Sequence, residues 1–181
     1  RVIDARILVT AGLSLTAYSL YMMTGFSPQM DSALIIESGI VQGLGLGLVF
    51  VPLSTVAFAT LPPIHRTDAT ALFSLTRNIG SSIGISIVTL FLTRNIQINH
   101  TELSAFINPF NDKLTRIVPQ DALGPKVLQV IDGMVNQQAA MIAYVDDFKL
   151  VMIITLAAIP LVFLLRKPPA AQPMEAAGAM E

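Results

Sequence analysis

The stretch SGIVQGLGLGLVFVPLSTVAFATLP, residues 38–62, decides the fold class of this chain. It holds 25 residues without a charged side chain. A helix of that length extends roughly 37 Å, whereas the hydrocarbon core of a bilayer is about 30 Å thick. The stretch is therefore predicted to be a membrane-spanning helix that has some room for tilt.

Glycines and a proline within this stretch predict how the helix packs. Gly39, Gly43 and Gly47 recur every four residues and share one face, where the backbone of a neighbouring helix can approach closely. Gly45 lies off that stripe. Pro52 removes one backbone hydrogen bond and is expected to kink the helix. A close-packed, kinked span suits a transport protein that moves, and a tightly packed structural helix is the alternative.

The composition of the whole chain indicates an integral membrane protein. Of its 181 residues, 53% are hydrophobic and 13% are charged, and the mean hydropathy is +0.66. Soluble domains carry about 25% charged residues. The net charge of −1 gives no indication of a nucleic-acid partner, and the lack of cysteine excludes disulfides and zinc–thiolate sites. The chain begins with Arg rather than Met, which favours a piece of a longer protein.

Three further apolar stretches complete the expectation of an all-α integral membrane protein with four transmembrane helices, at about 7–26, 33–61, 69–92 and 148–165. Residues 1–167 form the membrane domain on this reading, interrupted by a long, partly helical periplasmic loop at 93–147 and followed by a disordered cytoplasmic tail at 168–181. In the third span, Gly80 and Gly84 form another pair of small residues at helical spacing. Basic residues flank the spans on one side, so the positive-inside rule places both chain ends in the cytoplasm.

The periplasmic loop contains a predicted amphipathic helix over residues 126–145. Its apolar residues are spaced by three and four and include Val127, Ile131, Met134 and Met141. A stripe of this length is too apolar for a free surface. It must pack on the outer face of the membrane domain, on the bilayer surface or on another protein.

Enzyme signatures are missing from the chain, and we expect no enzymatic activity, cofactor or metal site. The sequence QGLGLGL lies inside a membrane helix and lacks the GxGxxG spacing of a dinucleotide site. No phosphate-binding GxxxxGK[ST] or zinc-binding HExxH motif is present. The two histidines, His65 and His100, lie in separate segments on opposite sides of the membrane.

Polar side chains within the spans are better candidates for function, because an ionisable group in mid-membrane costs at least ~2.5 kcal/mol and is usually paired or faces water. Glu37 is a candidate proton-carrying carboxylate, or else an interfacial residue that reaches water. Arg77 is a candidate for a conformational ion pair, or else it extends to cytoplasmic phosphates. Gln42 is a candidate for hydrogen bonding to a ligand or to a neighbouring helix.

Three runs of sequence carry a resemblance to a known family: IVQGLGLGLVFVPLSTVAFATLP, ATALFSLTRNIGSSIGISIVTLFLTRN and INPFN. They resemble the C-terminal part of the fourteen-span drug:proton antiporters of the major facilitator superfamily (EmrB/QacA type). The resemblance implies that the four spans belong to the C-terminal helix bundle of an inner-membrane multidrug efflux pump. It also implies hydrophobic or amphipathic substrates and a proton gradient as the energy source.

The resemblance further implies partners besides the lipid bilayer. Pumps of this family work with an EmrA-type membrane-fusion protein and an outer-membrane channel, so the apolar stripe of the amphipathic helix is predicted to help dock that adaptor. Two alternatives stay open. One is a four-span membrane scaffold or assembly protein without transport activity, and the other is an exporter of the same fold that carries one specific metabolite.

Overall fold

A computed structural model describes residues 4–58, 61–107 and 124–163. These ranges consist of helices and short connections, and they contain no strand, so the predicted all-α class is confirmed for them. Residues 164–167 and the predicted tail at 168–181 lie outside the described residues. In chain order the elements are α1 (Ala5–Met23), α2 (Ser32–Phe58), a 3-10 turn (Pro63–His65), α3 (Arg66–Ala105) and α4 (Pro125–Phe163).

Helices α2 and α3 are long and apolar enough to cross a membrane, over Ser32–Thr55 and Arg66–Ala105 respectively. Many of their large apolar side chains are exposed and turned away from the rest of the chain. Leu44 on α2 is 61% exposed and Leu90 on α3 is 67% exposed, and α3 has no buried residue. Surfaces of this kind need lipid or further protein around them.

The other two predicted spans, at 7–26 and 148–165, overlap α1 over residues 7–23 and the second half of α4 over residues 148–163. Within the described residues, neither is both as long and as apolar as α2 or α3. Helix α1 packs between α2 and α4, and it buries the polar residues Thr16 and Ser19 against its neighbours rather than exposing an all-apolar surface. The apolar part of α4 follows three charged residues, Asp146, Asp147 and Lys149.

Helices α1 and α2 form a close antiparallel pair joined by a turn at residues 24–31. The Ser19 hydroxyl donates a hydrogen bond of 2.8 Å to the Ser38 carbonyl oxygen across this pair. Further along, Gly12 faces Gly45, and the Thr16 hydroxyl donates back to the Gly12 carbonyl oxygen at 2.9 Å. Because both facing positions lack side chains, the two backbones come close enough for polar groups of one helix to contact the other.

The close approach on α2 therefore occurs at Gly45 and not along the stripe of glycines that the sequence singles out. A Cβ added at Gly39, Gly43 or Gly47 would meet no atom within 4 Å, and the same holds for Gly80 and Gly84 on α3. Packing of these glycines against a further helix stays a prediction. So does the kink at Pro52, which lies inside α2 with helix on both sides.

Helices α3 and α4 form a second antiparallel pair that is longer than a membrane is thick. Helix α3 has 40 residues and α4 has 39, so each extends roughly 60 Å. The third span is predicted at 69–92, and helix α3 contains this range and continues beyond it through polar residues up to Ala105. Helix α4 likewise begins at Pro125 and runs without a break into the predicted fourth span. Within the described residues, much of the predicted loop at 93–147 is thus a helical hairpin.

We predict that labelling with a membrane-impermeant thiol reagent will separate two sides of the chain. Cysteine in place of Pro28 or Lys113 should react in intact cells, whereas cysteine in place of Arg66 or Gln172 should react only after permeabilisation. The charge asymmetry of the flanking segments is the physical reason. Of these positions, 113 and 172 lie outside the described residues. Reaction at position 66 in intact cells would contradict the four-span arrangement.

Candidate functional site

Glu37 and Gln42 lie in the first half of α2, on the side of the turn at residues 24–31. The side chain of Glu37 is exposed, whereas the next residue, Ser38, is fully buried against α1. Glu37 thus points away from the α1–α2 contact, toward lipid, water or further protein. Gln42 is partly buried. Within the described ranges, neither side chain has a hydrogen-bond partner, and both stay candidates.

Arg77 is exposed on α3, near the opposite end of the helices from Glu37. The rings of Phe58 and Phe73 are in contact at 5.5 Å between centroids, which fixes the end of α2 beside the start of α3. Arg77 lies one turn beyond Phe73, whereas Glu37 lies 21 residues before Phe58, roughly 31 Å along the helix. The structure therefore does not bring these two charged candidates together.

A residue that sequence reasoning misses is Asp147, on α4. It is only 5% exposed, and its carboxylate has no hydrogen-bond partner among the described residues. Desolvation by burial raises the pKa of Asp147 above its usual value of 3.8, and the neighbouring Asp146 charge raises this pKa further. Asp146 itself is half-exposed and accepts a hydrogen bond of 3.1 Å from the Lys149 ammonium group.

A signal for Asp147 was present in the sequence. Two adjacent carboxylates stand directly before the apolar run of the fourth predicted span. Neighbouring residues on a helix point about 100° apart, because the helix has 3.6 residues per turn. When one carboxylate of such a pair faces water, the other is turned toward the packing partners of the helix.

The outer part of the α3–α4 hairpin carries a small polar cluster. The Nε2 atom of His100 lies 3.2 Å from Oδ1 of Asp132, and the amide of Asn136 donates a hydrogen bond of 3.1 Å to Oδ2 of Asp132. The side chains of His100 and Asp132 are 32% and 63% exposed, so this ion pair is expected to contribute about 1 kcal/mol at most. The pair shows which residues of α3 and α4 lie opposite each other in the antiparallel hairpin.

The predicted docking stripe on α4 divides into two parts. Ile131 and Met134 both border a cleft of about 390 Å³ that also includes Pro28, Leu103 and Ile107. Ile131 is largely covered, whereas Met134 is 65% exposed. Val127 and Met141 are partly buried. Apolar residues that remain open on this part of α4 are Met134, Leu128 and Val130, which are 65%, 47% and 62% exposed.

Among the described residues, no three His, Asp or Glu side chains come close enough to hold a metal ion. The candidate site contains single carboxylates, each in a different environment. Glu37 is exposed, Asp132 is paired with His100, and Asp147 is a buried residue without a hydrogen-bond partner among the described residues. Groups of this type can bind and release protons.

Comparison with known proteins identifies membrane exporters as relatives. The chain is 32% identical over 138 residues to the multidrug export protein EmrB of Escherichia coli (strain K12), covering 75% of the chain and 27% of that protein. It is 34% identical over 110 residues to EmrB of Haemophilus influenzae, covering 60% and 22%. Identity to the fatty acid resistance protein FarB of Neisseria gonorrhoeae is 27% over 170 residues, covering 92% and 34%.

The chain thus spans between about a fifth and a third of the length of these curated relatives. No family model matches the chain, and no solved structure matches it.

Proposed function

This chain is homologous to a segment of the EmrB-type multidrug export proteins, and from that premise we propose that it is part of a pump that exports hydrophobic or amphipathic toxic compounds in exchange for protons. The observation that carries the proposal is the 32% identity to EmrB of Escherichia coli over 75% of the chain. The chain would supply the last four spans of a major facilitator superfamily transporter in the bacterial inner membrane. Export would follow from alternating access between two helix bundles.

The structure supports the proposal in two ways. Helices α2 and α3 present long apolar surfaces without partners inside the chain, as expected of spans that contact lipid and a second bundle. Two carboxylates, the exposed Glu37 and the buried residue Asp147, also lie near one end of the helices. The distribution of charged residues predicts that this end is on the outer side of the membrane. Such groups can exchange protons with the outer solution.

A drug-accumulation assay tests the proposal. Cells of a drug-sensitive strain that express the full-length protein should accumulate less of an amphipathic dye than cells with the empty vector. Addition of a protonophore should abolish the difference, because the proton gradient is the proposed energy source. Equal accumulation in both strains, with the protein present in the membrane, would contradict the proposal and favour the scaffold.

The relative FarB suggests a narrower substrate class. Its alignment covers 92% of the chain, and its name refers to fatty acid resistance. A fatty acid combines an apolar tail with a carboxylate and so belongs to the amphipathic compounds proposed above. Resistance to long-chain fatty acids without resistance to cationic dyes would indicate an exporter of one specific class of compound.

We predict that Glu37→Gln and Arg77→Ala in the full-length protein will each lower drug-driven proton flux by about tenfold or more, because a positioned proton carrier or ion pair acts at this scale. Each side chain is exposed, so expression should stay near normal. Proton flux is measured with a pH-sensitive dye in inverted vesicles. Unchanged flux in both variants would show that the two residues reach the membrane interface and have no role in transport.

The pump is also proposed to work with an EmrA-type membrane-fusion protein and an outer-membrane channel. The α3–α4 hairpin supports this, because it is about twice as long as a bilayer core is thick and carries open apolar residues on its outer part. On this proposal, the adaptor covers the surface around Met134.

A further inference from the structure

Asp147 lies at the level where α4 enters the proposed membrane segment. The next residue, Phe148, contacts Phe26 of the α1–α2 turn, with ring centroids 5.9 Å apart. Ala139, Ala143 and Asp147 follow each other at intervals of four and are 0%, 0% and 5% exposed. They form one buried face of α4, and Asp147 is the titratable member of that face. An alanine face packs closely, so most of the Asp147 side chain is covered by its neighbours.

No cation among the described residues compensates for a charge on Asp147. The pairing of His100 with Asp132 fixes the antiparallel register, which places Asp147 opposite the stretch 85–88 of α3. That stretch has no charged residue, and the nearest cations of α3, Arg77 and Arg94, are each roughly 12 Å away along the helix axis. On α4, the Lys149 ammonium group is bonded to Asp146.

The remaining titratable groups near this level are also unable to compensate for the charge. On α1 they are Tyr18 and Tyr21, which are 56% and 63% exposed. On the turn that follows α1 there is Asp31, whose carboxylate accepts hydrogen bonds from Ser32 and from the Ala33 amide. An ionised Asp147 would therefore carry a charge that no cation of the described residues compensates, on a residue that is only 5% exposed. A protonated Asp147 would be a neutral group in a close-packed interface.

We propose that Asp147 is a proton-binding site of the transporter, and that proton binding there controls how tightly α4 packs against its neighbours. The carboxylate takes a proton from a hydronium ion on the outer side, forming an O–H bond and leaving water. In that state α4 stays packed on α3 and on the α1–α2 turn. Loss of the proton to water leaves an uncompensated charge on this largely covered side chain, which favours separation of α4 from these neighbours. The inference rests on proton-coupled export as proposed above.

The test compares Asp147→Asn with Asp146→Asn, a matched control one residue away that removes a half-exposed and paired carboxylate. The full-length protein is reconstituted in lipid vesicles, and infrared spectra are recorded between acidic and alkaline pH. A protonated-carboxyl band that persists to a higher pH than that of a free aspartic acid is expected for the wild type and, at a somewhat lower pH because the Asp146 charge is gone, for Asp146→Asn. This band should be absent from Asp147→Asn. The number of protons exchanged per dye should fall in Asp147→Asn only, with dye binding changed less than about twofold.

A second readout is the dependence of stability on pH. The folded protein holds the proton of Asp147 more tightly than the unfolded chain, whose carboxyl has a pKa of 3.8. The folded state thus binds more protons above that pH, and stability should fall as pH rises until the carboxyl is ionised. Asp147→Asn should remove this fall in melting temperature, and Asp146→Asn should not.

The outcomes separate the inference from the function on which it rests. If the wild type exchanges no protons for dye, the proposed function fails. If the wild type does so and Asp147→Asn retains the carboxyl band and the same proton count, the assignment of Asp147 is wrong. If Asp147→Asn does not accumulate in the membrane, Asp147→Glu decides the matter. A shifted pH dependence of exchange in that variant supports the assignment, and an unshifted one overturns it.

Discussion

Replacing Gly45 with alanine is expected to force α1 and α2 apart and to lower the melting temperature of the protein. A Cβ atom at this position would lie 2.6 Å from Oγ1 of Thr16, 2.9 Å from its backbone nitrogen and 3.0 Å from the carbonyl oxygen of Gly12. Two of these three atoms belong to the backbone and cannot rotate away. Overpacking of this kind costs about 1–3 kcal/mol.

The matched control is Gly43→Ala, two residues earlier on the same helix. A Cβ at Gly43 meets no atom within 4 Å, so the variant of the 181-residue chain should melt within a degree or so of the wild type, consistent with a change below about 0.5 kcal/mol. Melting is followed by circular dichroism in detergent. Equal melting temperatures for Gly45→Ala and the wild type would show that α1 and α2 do not approach each other as described.

Replacing Met134 and Met141 together with aspartate is expected to abolish drug resistance in cells while the membrane spans stay folded. On the proposed function, this part of α4 is covered by the adaptor protein. A carboxylate buried in such an interface without a partner costs several kcal/mol, and about 2.7 kcal/mol already corresponds to a hundredfold loss in affinity. Co-purification of the adaptor with the pump should therefore be lost.

The control for this variant is Gln129→Asp, which adds one carboxylate, against two in the double variant, at an exposed polar position off the stripe. It should leave co-purification and resistance unchanged. Dye binding in detergent should survive in both variants. The docking proposal is wrong if the adaptor still co-purifies with the double variant and the pump itself loses stability or expression. That result would show that the stripe packs inside the pump.

The main architectural features followed from simple properties of the sequence, and the contacts between helices did not. The uncharged run at 38–62 was enough to predict the helix that the structure describes as α2. Its glycine periodicity correctly groups Gly39, Gly43 and Gly47 on one face, but periodicity carries no information about which face meets a neighbour. The face that meets a neighbour is determined by α1, because Gly12 of α1 lies opposite Gly45 and allows the two backbones to approach there.

The continuation of α3 as a helix beyond residue 92 does not follow from the sequence, for a related reason. Beyond residue 92 the sequence becomes polar, which indicates the end of a membrane span but not the end of a helix. Residues up to Ala105 stay helical, and α4 packs alongside them with the pair of His100 and Asp132 between the two helices. A search for apolar periodicity alone cannot detect a helix whose support comes from a partner far along the chain.

For the candidate site, too, the sequence identifies residues but does not predict how they are arranged in space. Intramembrane charge alone is enough to single out Glu37 and Arg77, yet it does not reveal that they lie at opposite ends of helices. Asp147 was missed because it stands next to the charged residues Asp146 and Lys149, where a carboxylate at a membrane boundary is unremarkable. Only the packed structure distinguishes the buried member of this pair from the exposed one.

The central claim is that the chain belongs to a pump in which drug export is coupled to proton movement, and one measurement tests it most directly. The full-length protein is purified and reconstituted in sealed vesicles that contain a pH-sensitive dye and no other energy source. An imposed proton gradient should then drive a cationic amphipathic drug against its own gradient, and a drug gradient should in turn move protons. Drug movement that is the same with and without a proton gradient, and equal to that of empty vesicles, would contradict the claim.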